Sequence, residues 1–338
     1  MRFISRIDAA RFQELVRPKL RLFLSVDING STDLKYQRSG DAGPEWVVPL
    51  LNFYTAFPEF LKTAVKSESS SKKKAVRKNV GSMKSPDLWK ALGDELIFVA
   101  ELEGRQDAAR HVRAFRTALQ KAAANWAGAS GAGQLRFKGT AWLAGFPIGN
   151  AEMPVADASS QAPLMPDFVG PQMDAGFRLK DQASQRKLVL SADLAYLLLR
   201  AGGHGLNLYF HGDESLRGVM RGKPYPVIWV DCEQGDDRQE PTLNQKKDRL
   251  IGRKPADEKL LRSYLEAWLD GCGNEVPKPF IAKDPFKDLC QPGDYDNKFQ
   301  AWVAKWRGTL LVHEEVLPEN ESAKLGTKLP PNLEKLLG

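Results

Sequence analysis

The sequence predicts an α+β fold, in which a mostly antiparallel sheet carries helices on one face and a partly helical segment follows. Three observations predict it. An apolar strand opens the folded part of the chain, a hairpin follows the first long helix, and an amphipathic helix separates that hairpin from the next strand. This order is that of a ferredoxin-like βαββαβ core. We therefore place one unit at residues 1–231 and an appended C-terminal segment at residues 232–338.

The first half of the chain supplies the elements of this core. Residues 20–26 are mostly apolar and end at Asp27, as in a buried strand, and helix-start residues follow. Apolar residues at helical spacing predict a helix at 44–66, with a kink or break at Pro58. The polar, lysine-rich residues 67–86 are interpreted as a mobile basic insertion. The pattern then predicts a hairpin at 88–102, a helix at 107–126 and a strand region at 135–149.

The second half continues the sheet and then changes in character. Residues 233–253 are polar and charged, which indicates a linker or a surface excursion. Residues 258–269 and 297–306 have helical patterns and belong to the appended segment. Before them, the pattern favours a loop, a short helix, a strand, a helix and two late strands, at 151–166, 172–180, 187–190, 192–200, 206–210 and 226–230.

Composition narrows the class of protein. The 338 residues contain no run of about 18 apolar residues and no apolar signal core near the start, so we expect neither a membrane-spanning helix nor a signal peptide. Three widely spaced cysteines argue against a disulfide framework or a zinc site and favour a reducing cytoplasm. The net charge of +7 suits a nucleic acid or a polyanionic small molecule such as a triphosphate. The lysines at 72–78 have no interleaved aromatic residues, so we expect no nucleic-acid partner.

Two aspartates are the candidate metal ligands. Asp27 directly follows the first strand, and Asp94 lies at the Gly93 turn of the hairpin. If the hairpin neighbours that strand, the carboxylates converge and can hold two divalent ions about 3.5–4 Å apart, with the Ile28 carbonyl completing one site. Glu95 faces the other side of its strand by alternation, and we do not assign it to the metals. The alternative is that each aspartate only initiates a turn.

Two glycine-containing segments are candidates for phosphate binding. The first precedes a helix, where backbone N–H groups can approach phosphate oxygens. An ordinary capped helix start is the alternative there. The residues of this first segment are Gly30, Ser31 and Thr32. The second segment is a basic turn that can clamp a triphosphate, and the sequence does not choose among its candidates Arg217, Arg221 and Lys223.

Three further residues indicate substrate recognition. Lys90 lies four residues before Asp94 on the first arm of the hairpin, where it can donate to a nucleotide base or be solvated. Asp174 and Arg178 are four residues apart and share one face of the short helix. They can form a surface ion pair, or Arg178 can contact phosphate as negative charge shifts in a transition state.

Together, these motifs resemble those of class III nucleotidyl cyclases over roughly residues 18–232. Residues 24–32, Leu-Ser-Val-Asp-Ile-Asn-Gly-Ser-Thr, are similar to the family's first metal strand and phosphate loop. Residues 90–95, Lys-Ala-Leu-Gly-Asp-Glu, look like its second metal hairpin. The resemblance implies the catalytic-domain fold of that family and a nucleoside triphosphate substrate.

The same resemblance implies roles for residues of the motif Asp-Phe-Val-Gly-Pro-Gln-Met-Asp-Ala-Gly-Phe-Arg-Leu, which begins at Asp167. It implies that Lys90 and Asp167 read the base. Asp174 takes the place of a ribose-orienting asparagine, and Arg178 corresponds to the transition-state arginine. The aspartate in place of asparagine, and Gly176 where alanine is common, depart from the family pattern.

The resemblance further implies cofactors and partners. Two divalent ions, Mn²⁺ or Mg²⁺, are expected in each site. In this family two subunits pair head to tail, with the metal ligands from one and the substrate-reading residues from the other. The expected assembly is therefore a homodimer with two shared active sites.

More narrowly, the chain resembles the pyrimidine cyclases of bacterial Pycsar antiphage defence, in Asp-Ile-Asn-Gly-Ser-Thr, the basic insertion and the appended segment. That resemblance implies conversion of UTP to 3′,5′-cyclic UMP and pyrophosphate, and a separate effector that the product activates. The lysine–aspartate pair is equally compatible with cytosine or adenine, so a cytidylate or adenylate cyclase remains open. A degenerate nucleotide-sensing domain is a further alternative. So is a diguanylate-cyclase-like domain, whose Gly-Gly-Asp-Glu-Phe turn is similar to residues 92–96.

Overall fold

The computed structural model describes residues 9–37, 39–40, 43–44, 46–71, 83–127, 135–153, 166–233, 242–273, 275–281, 289 and 291–314. Its strands are β1 (Lys19–Asn29), β2 (Ser39–Gly40), β3 (Gly43–Pro44), β4 (Asp87–Leu92), β5 (Glu95–Glu101), β6 (Arg136–Phe146), β7 (Ala151–Met153), β8 (Asp167–Val169), β9 (Lys187–Leu190), β10 (Leu208–Ser215) and β11 (Pro224–Asp231). Its helices are α1 (Ala9–Val16), α2 (Ser31–Gln37), α3 (Val47–Ser71), α4 (Asp107–Ala127), α5 (Pro171–Leu179), α6 (Ala192–Ala201), α7 (Leu243–Leu250), α8 (Glu258–Cys272) and α9 (Tyr295–Glu314). None of the helices in these ranges combines the length and apolar character needed to cross a bilayer.

A seven-stranded sheet forms the centre of the described structure, in the order β10-β11-β9-β6-β1-β5-β4. Every neighbouring pair is antiparallel except β6 and β9, which run parallel. The predicted α+β fold with a mostly antiparallel sheet is therefore confirmed. Strand β1 pairs with β5 on one side and with β6 on the other, so its end is enclosed by strands.

Strand β1 is apolar because both faces of the sheet are covered along it. Successive side chains of a strand point to opposite faces. Leu22, Leu24 and Val26 join the larger core, to which α3 and α4 contribute. Phe23 joins an aromatic cluster on the opposite face, where it stacks on Trp142 with ring centres 5.4 Å apart.

Helix α5 packs on that opposite face. Its Gly176 lies directly against the Trp142 ring of the aromatic cluster. The prediction that the helices cover one face is therefore wrong for α5. The physical reason is the parallel pair β6–β9, because parallel strands need a crossover connection. This crossover contains α5 and carries it over the face that α3 and α4 leave open.

Helix α3 is longer than predicted. It passes Pro58 without ending and continues to Ser71, through residues assigned to the basic insertion. The hydroxyl groups of Ser69 and Ser70 donate to carbonyls one turn earlier, so these polar residues are satisfied within a helix. The rest of the insertion at 72–82, with its lysines at 72–78, lies outside the described residues.

A helix also replaces part of the predicted linker. Residues 243–250 form α7, which begins with a reciprocal capping box. The Thr242 side chain accepts from the Gln245 backbone N–H, and the Gln245 side chain accepts from the Thr242 N–H. Asp248 of α7 forms ion pairs with Arg186, which also binds Asp231 at the end of β11. These polar contacts hold a helix that has little apolar periodicity.

The C-terminal segment shares a core with the sheet unit. Beyond Asp231 the described residues contain no strand. Helix α8 packs against α6, and its Leu261, Leu265 and Leu269 belong to the same buried cluster as α6. The Ala256 N–H also donates to the carbonyl at the start of β10 at 2.8 Å. A domain boundary at residue 231 stays a prediction, since the two parts pack together.

Candidate active site

The two predicted metal aspartates lie next to each other at one end of the sheet. Asp27 is near the end of β1, and Asp94 occupies the turn between β4 and β5. The antiparallel pairing of β1 with β5 brings them together, and the Ile28 N–H donates to the Asp94 carbonyl at 3.2 Å. Gly93 permits this turn with a φ of 66°, which a residue with a Cβ rarely adopts.

Two hydroxyl groups fix the hairpin turn in place. Ser31 is buried at the start of α2, and its hydroxyl donates to the Asp94 carboxylate. The Tyr54 hydroxyl of α3 donates to the carbonyl of the glycine before Asp94. Gly30 turns the chain with a φ of 80°, and Thr32 is exposed. The three predicted phosphate-loop residues therefore lie beside the aspartate pair, with the Ser31 hydroxyl engaged by it.

The electrostatic environment of this pair favours a cation. Burial raises the pKa of Asp27, a hydrogen bond from Lys138 opposes the rise, and the negative charges of Asp94 and Glu95 add to it. Lys138 lies opposite Asp27 in the β1–β6 pair, with its Nζ 2.9 Å from the Asp27 Oδ2. Two lysines, Lys138 at Asp27 and Lys180 at Glu95, thus stand against three carboxylates. A divalent ion would relieve the remaining repulsion.

The donor atoms suit a hard divalent cation. Two carboxylates and a backbone carbonyl are oxygen ligands of the kind that Mg²⁺ and Mn²⁺ prefer. Within the described ranges, no group of three or more His, Cys, Asp or Glu side chains is arranged to hold a metal. Ions at Asp27 and Asp94 would therefore take further ligands from water or substrate phosphates, which is usual for Mg²⁺. The residues present fit such ions.

Asp27, Asp94 and the Ile28 carbonyl form the candidate metal cradle, and Glu95 lies closer to this cradle than its alternation with Asp94 along the strand suggests. It pairs directly with Asp27 across the β1–β5 ladder, so the two side chains share one face of the sheet. Glu95 is only 5% exposed. Its carboxylate accepts from the Ser25 hydroxyl at 2.5 Å and from the Lys180 Nζ at 2.7 Å. Both of its oxygens are therefore used by the protein.

The two predicted base-reading residues are in direct contact. The Lys90 Nζ lies 2.6 Å from the Asp167 Oδ1 and 4.5 Å from the centre of the Trp89 ring. The Asp167 Oδ1 also accepts from the Phe168 N–H at 2.9 Å. The Trp89 Nε1 donates to the Pro166 carbonyl and joins β4 to the start of β8. These contacts set the pair at the edge of the sheet.

Asp174 and Arg178 lie on the exposed face of α5. Neither side chain forms an ion pair or a hydrogen bond with any described residue, so the alternative of a surface ion pair is not observed. The buried face of α5 is anchored by Gln172, whose side chain donates to Asp193 at 2.7 Å and accepts from Asn150 at 2.6 Å. The buried face of α5 is therefore fixed to the sheet unit, and Asp174 and Arg178 remain available on the exposed face of the helix.

The structure separates the three basic-turn candidates. Arg221 lines a cavity of about 270 Å³ together with Asp174 and Glu275. Lys223 instead binds Glu275, with its Nζ 3.2 Å from the Glu275 Oε2. Arg217 is exposed and does not line this cavity. Arg221 is therefore the candidate that shares a space with a residue of α5.

Three residues of this region were not found from the sequence: Tyr54, Lys138 and Lys180. Each touches the site from a distant element, namely α3, β6 and the end of α5. Their positions depend on strand register and on the crossover that carries α5. No local spacing or motif marks them, because helix packing places Tyr54, strand register places Lys138 and the crossover places Lys180.

No protein-family model matches the chain, and no curated protein matches its sequence. Similar solved structures include guanylyl and adenylyl cyclases. The guanylyl cyclase Cya2 is 18% identical and has a TM-score of 0.42, with 66% of this chain and 96% of that chain covered. The adenylyl cyclase CyaB from P. aeruginosa is 13% identical and has a TM-score of 0.41, with 66% and 98% covered. The guanylate cyclase domain of RhGC from Catenaria anguillulae, in complex with GTP, is 11% identical and has a TM-score of 0.40, with 63% and 97% covered. At these values the similarity assigns no residue roles.

Proposed function

We propose that the protein is a nucleotidyl cyclase, which converts a nucleoside triphosphate to a 3′,5′-cyclic nucleotide and pyrophosphate. The observation that carries the proposal is the convergence of Asp27 and Asp94 beside a glycine turn that opens a helix. Aspartates that only initiate turns would not need to lie beside each other in this way. The motif resemblance to class III cyclases supports the same reaction.

The chain's own residues have distinct tasks in this reaction. Asp27, Asp94 and the Ile28 carbonyl would hold Mn²⁺ or Mg²⁺. When bound, such ions lower the pKa of a coordinated hydroxyl and neutralise phosphate charge. The ribose 3′-hydroxyl gives its proton to solvent and its oxygen attacks the α-phosphorus. The bond from the α-phosphorus to the oxygen that bridges to the β-phosphorus breaks, and pyrophosphate leaves.

The phosphates need further positive groups as charge moves toward the leaving group. The N–H groups at the start of α2, in Gly30, Ser31 and Thr32, face the phosphates in this proposal. Arg178 stabilises the transferring phosphoryl group. Arg221 binds the polyphosphate from the cavity that it shares with Asp174, and Asp174 contacts the ribose.

Lys90 and Asp167 read the base in this proposal. The Asp167 Oδ1 is occupied by Lys90 and by the Phe168 N–H, whereas the Oδ2 accepts no bond from a described residue. The ammonium group of Lys90 keeps N–H donors beyond the one given to Asp167. One donor beside one acceptor complements the O4 and N3–H of uracil. The same pair is equally compatible with cytosine or adenine, so the resemblance to the Pycsar pyrimidine cyclases decides the choice, and we propose UTP as the substrate and cyclic UMP as the product.

Asp174 and Arg178 support a shared active site. Both are exposed on α5 and have no partner among the described residues of their own chain. In the proposed head-to-tail homodimer they contact the substrate held by the aspartates of the partner subunit. Each of the two sites then takes its metal cradle from one subunit and its base-reading pair and arginine from the other.

The proposed biological role follows from the narrower resemblance to Pycsar pyrimidine cyclases. The cyclic nucleotide is a second messenger in antiphage defence and activates a separate effector in the cytoplasm. The role of residues 232–338 in this scheme is structural at least, because α8 shares the core of α6.

The experiment that tests the activity is incubation of the purified full chain with Mn²⁺ or Mg²⁺ and ATP, GTP, CTP or UTP, one at a time. Mass spectrometry then identifies the product. Cyclic UMP is expected, and Asp27→Asn should abolish it. Glu59→Gln is the matched control, because it removes a carboxylate from an exposed position on α3. Cyclic CMP or cyclic AMP alone would retain the cyclase but overturn the choice of base. No product from any nucleotide would favour a nucleotide sensor.

Subunit mixing tests the shared site. Asp27→Asn and Arg178→Ala chains should each be inactive alone. A mixed dimer with one chain of each variant should have one working active site, because the intact cradle of the Arg178→Ala chain meets the intact arginine of the Asp27→Asn chain in that site. Failure of every mixture, with dimers verified by mass, would overturn the shared arrangement and leave the activity test unaffected.

A further inference from the structure

An ion pair joins the β4–β5 hairpin, whose turn contains Asp94, to α5 within one chain. Lys180 directly follows the last residue of α5, and its Nζ lies 2.7 Å from the Oε2 of Glu95 at the start of β5. We propose that Lys180 is a positioning residue for Arg178, because this ion pair fixes the C-terminal end of α5 against the strand that carries Asp27 and the hairpin that carries Asp94. The inference rests on the proposed function, since it concerns how the two halves of that site are aligned.

Glu95 is the fixed partner of this pair. It is buried, and its second oxygen accepts from the Ser25 hydroxyl at 2.5 Å. Ser25 belongs to β1, the strand in the middle of the β5–β1–β6 arrangement, and stands two residues before Asp27. Glu95 is therefore tied to the same strand as the first metal aspartate. A carboxylate held in this way gives α5 a rigid point of attachment.

Lys180 moves with the helix that it anchors. Its backbone is still helical, with φ −58° and ψ −28°, and its side chain is 22% exposed. The ammonium group also lies 5.2 Å from the centre of the Phe177 ring, within the range of a cation–π contact. Arg178 is two residues earlier in the same backbone. A shift of Lys180 is therefore also a shift of the Arg178 α-carbon.

The other end of α5 is held by a separate network. Gln172 accepts from the Gly145 N–H and from Asn150, and it donates to Asp193. Gln172 lies about one and two-thirds helical turns from Arg178, because a turn has about 3.6 residues. The network at Gln172 sets the start of the helix, and Lys180 provides the polar attachment nearest to the arginine.

Loss of Lys180 leaves a buried carboxylate without its cation. Removing one partner of a buried ion pair is costly, whereas removing both can be nearly neutral. Glu95 stands directly opposite Asp27, so the uncompensated charge adds to the repulsion at the cradle. In the proposed dimer, the cradle and Arg178 of one chain serve different active sites. The ion pair therefore connects the two sites through a single subunit.

The first test compares Lys180→Met with Lys180→Arg and with Lys278→Met, all in the full chain. Lys278 is the matched control, because its Nζ pairs with Asp270 at 2.6 Å in the C-terminal segment. We expect Lys180→Met to lower kcat at least about tenfold with KM within about twofold, since misplacement by about 1 Å can cost about 100-fold. Lys180→Arg should restore most of kcat. A kcat for Lys180→Met equal to that of Lys278→Met would overturn the proposal.

A second measurement does not depend on activity. Amide hydrogen exchange over residues 171–180 should be faster in Lys180→Met than in the wild type and unchanged in Lys278→Met. Adding Glu95→Gln to Lys180→Met should restore part of the protection, because it removes the unpaired charge. Unchanged exchange in Lys180→Met would overturn the proposal even in an active enzyme. Faster exchange in a chain that makes no cyclic nucleotide would instead count against the proposed function alone.

Mixed dimers locate the effect. In dimers of Asp27→Asn with Arg178→Ala, the single working site takes its arginine from the Asp27→Asn subunit. Lys180→Met added to that subunit should lower the recovered activity more than the same change in the other subunit. The reverse order would show that the ion pair serves the metal cradle and would overturn a role in placing Arg178.

Discussion

Replacing Gly176 by alanine tests whether the packing of α5 controls the site. A Cβ at this position lies 2.4 Å from ring atoms of Trp142, whereas carbon atoms in contact are about 3.5–4.0 Å apart. The helix or the ring must therefore move by about 1 Å. Trp142 has no room to move, because it is fully buried, stacks on Phe23 and contacts Phe177.

The expected cost combines two opposing effects. Overpacking of a core costs about 1–3 kcal/mol, and alanine gains up to about 1 kcal/mol over glycine inside a helix. We therefore expect Gly176→Ala to lower the free energy of unfolding by about 0–2 kcal/mol, which is the overpacking cost less about 1 kcal/mol for alanine. Gly271 of α8 is the matched control, because nothing lies within 4 Å of a Cβ there. Gly271→Ala should be neutral or stabilising by up to about 1 kcal/mol.

Equilibrium urea denaturation measures both variants, and cyclase turnover is measured on the same preparations. Turnover should fall in Gly176→Ala, up to about 100-fold, because α5 carries the proposed transition-state arginine. Turnover should be unchanged in Gly271→Ala. If the two variants have the same stability and turnover, the close approach of α5 to the Trp142 ring does not control the site and the reasoning is wrong.

Three further predictions concern individual side chains. Asp94→Asn should lower turnover at least about 100-fold without loss of stability by denaturation, because it removes a metal ligand while easing like-charge repulsion. Arg221→Ala should raise KM at least about tenfold and Arg217→Ala should not, because only Arg221 lines the cavity with α5; steady-state kinetics distinguish them. Burial, with the neighbouring charge of Arg110, lowers the pKa of His111 to about 4, so the unfolded chain takes up this proton first as the pH falls. The free energy of unfolding of the wild type should fall by about 3 kcal/mol between pH 7 and 4 because of His111. The His111→Leu variant should lack this decrease when its unfolding is measured across the same pH range.

The sheet and the aspartate pair could be predicted because their signals are local. An apolar run that ends at Asp27 indicates a strand end, and Gly93 with Asp94 indicates a tight turn. Only one assumption was needed beyond these signals, that the hairpin pairs with the first strand. The structure has that pairing, with the Ile28 N–H bonded to the Asp94 carbonyl.

The remaining parts of the site depend on packing between distant elements. Lys138 reaches Asp27 only through the register of β1 against β6. Gly176 is explained by the Trp142 ring, which lies more than thirty residues earlier in the chain and on another element. The position of α5 depends on the parallel pairing of β6 with β9. No local spacing of residues in the sequence predicts any of these three contacts.

Helix α7 was missed for a different reason. Its two leucines, Leu243 and Leu250, are separated by six polar residues, so the segment has too few apolar residues to predict a packed helix face. A local signal was nevertheless present. Thr242 followed three residues later by Gln245 is a capping-box pattern, and the structure contains both of its hydrogen bonds.

The apolar sequence of α6 has a consequence for any shortened form of this protein. Residues 192–199 of this helix are all buried, because the sheet covers one side and α8 covers another. A chain that ends at Asp231 would lack Leu261, Leu265 and Leu269. The leucines of α6 that pack against α8 would then be exposed to solvent. Exposed apolar strips of this kind favour self-association. Low solubility of the isolated sheet unit would then reflect a missing cover on α6 and would say nothing about its catalytic residues.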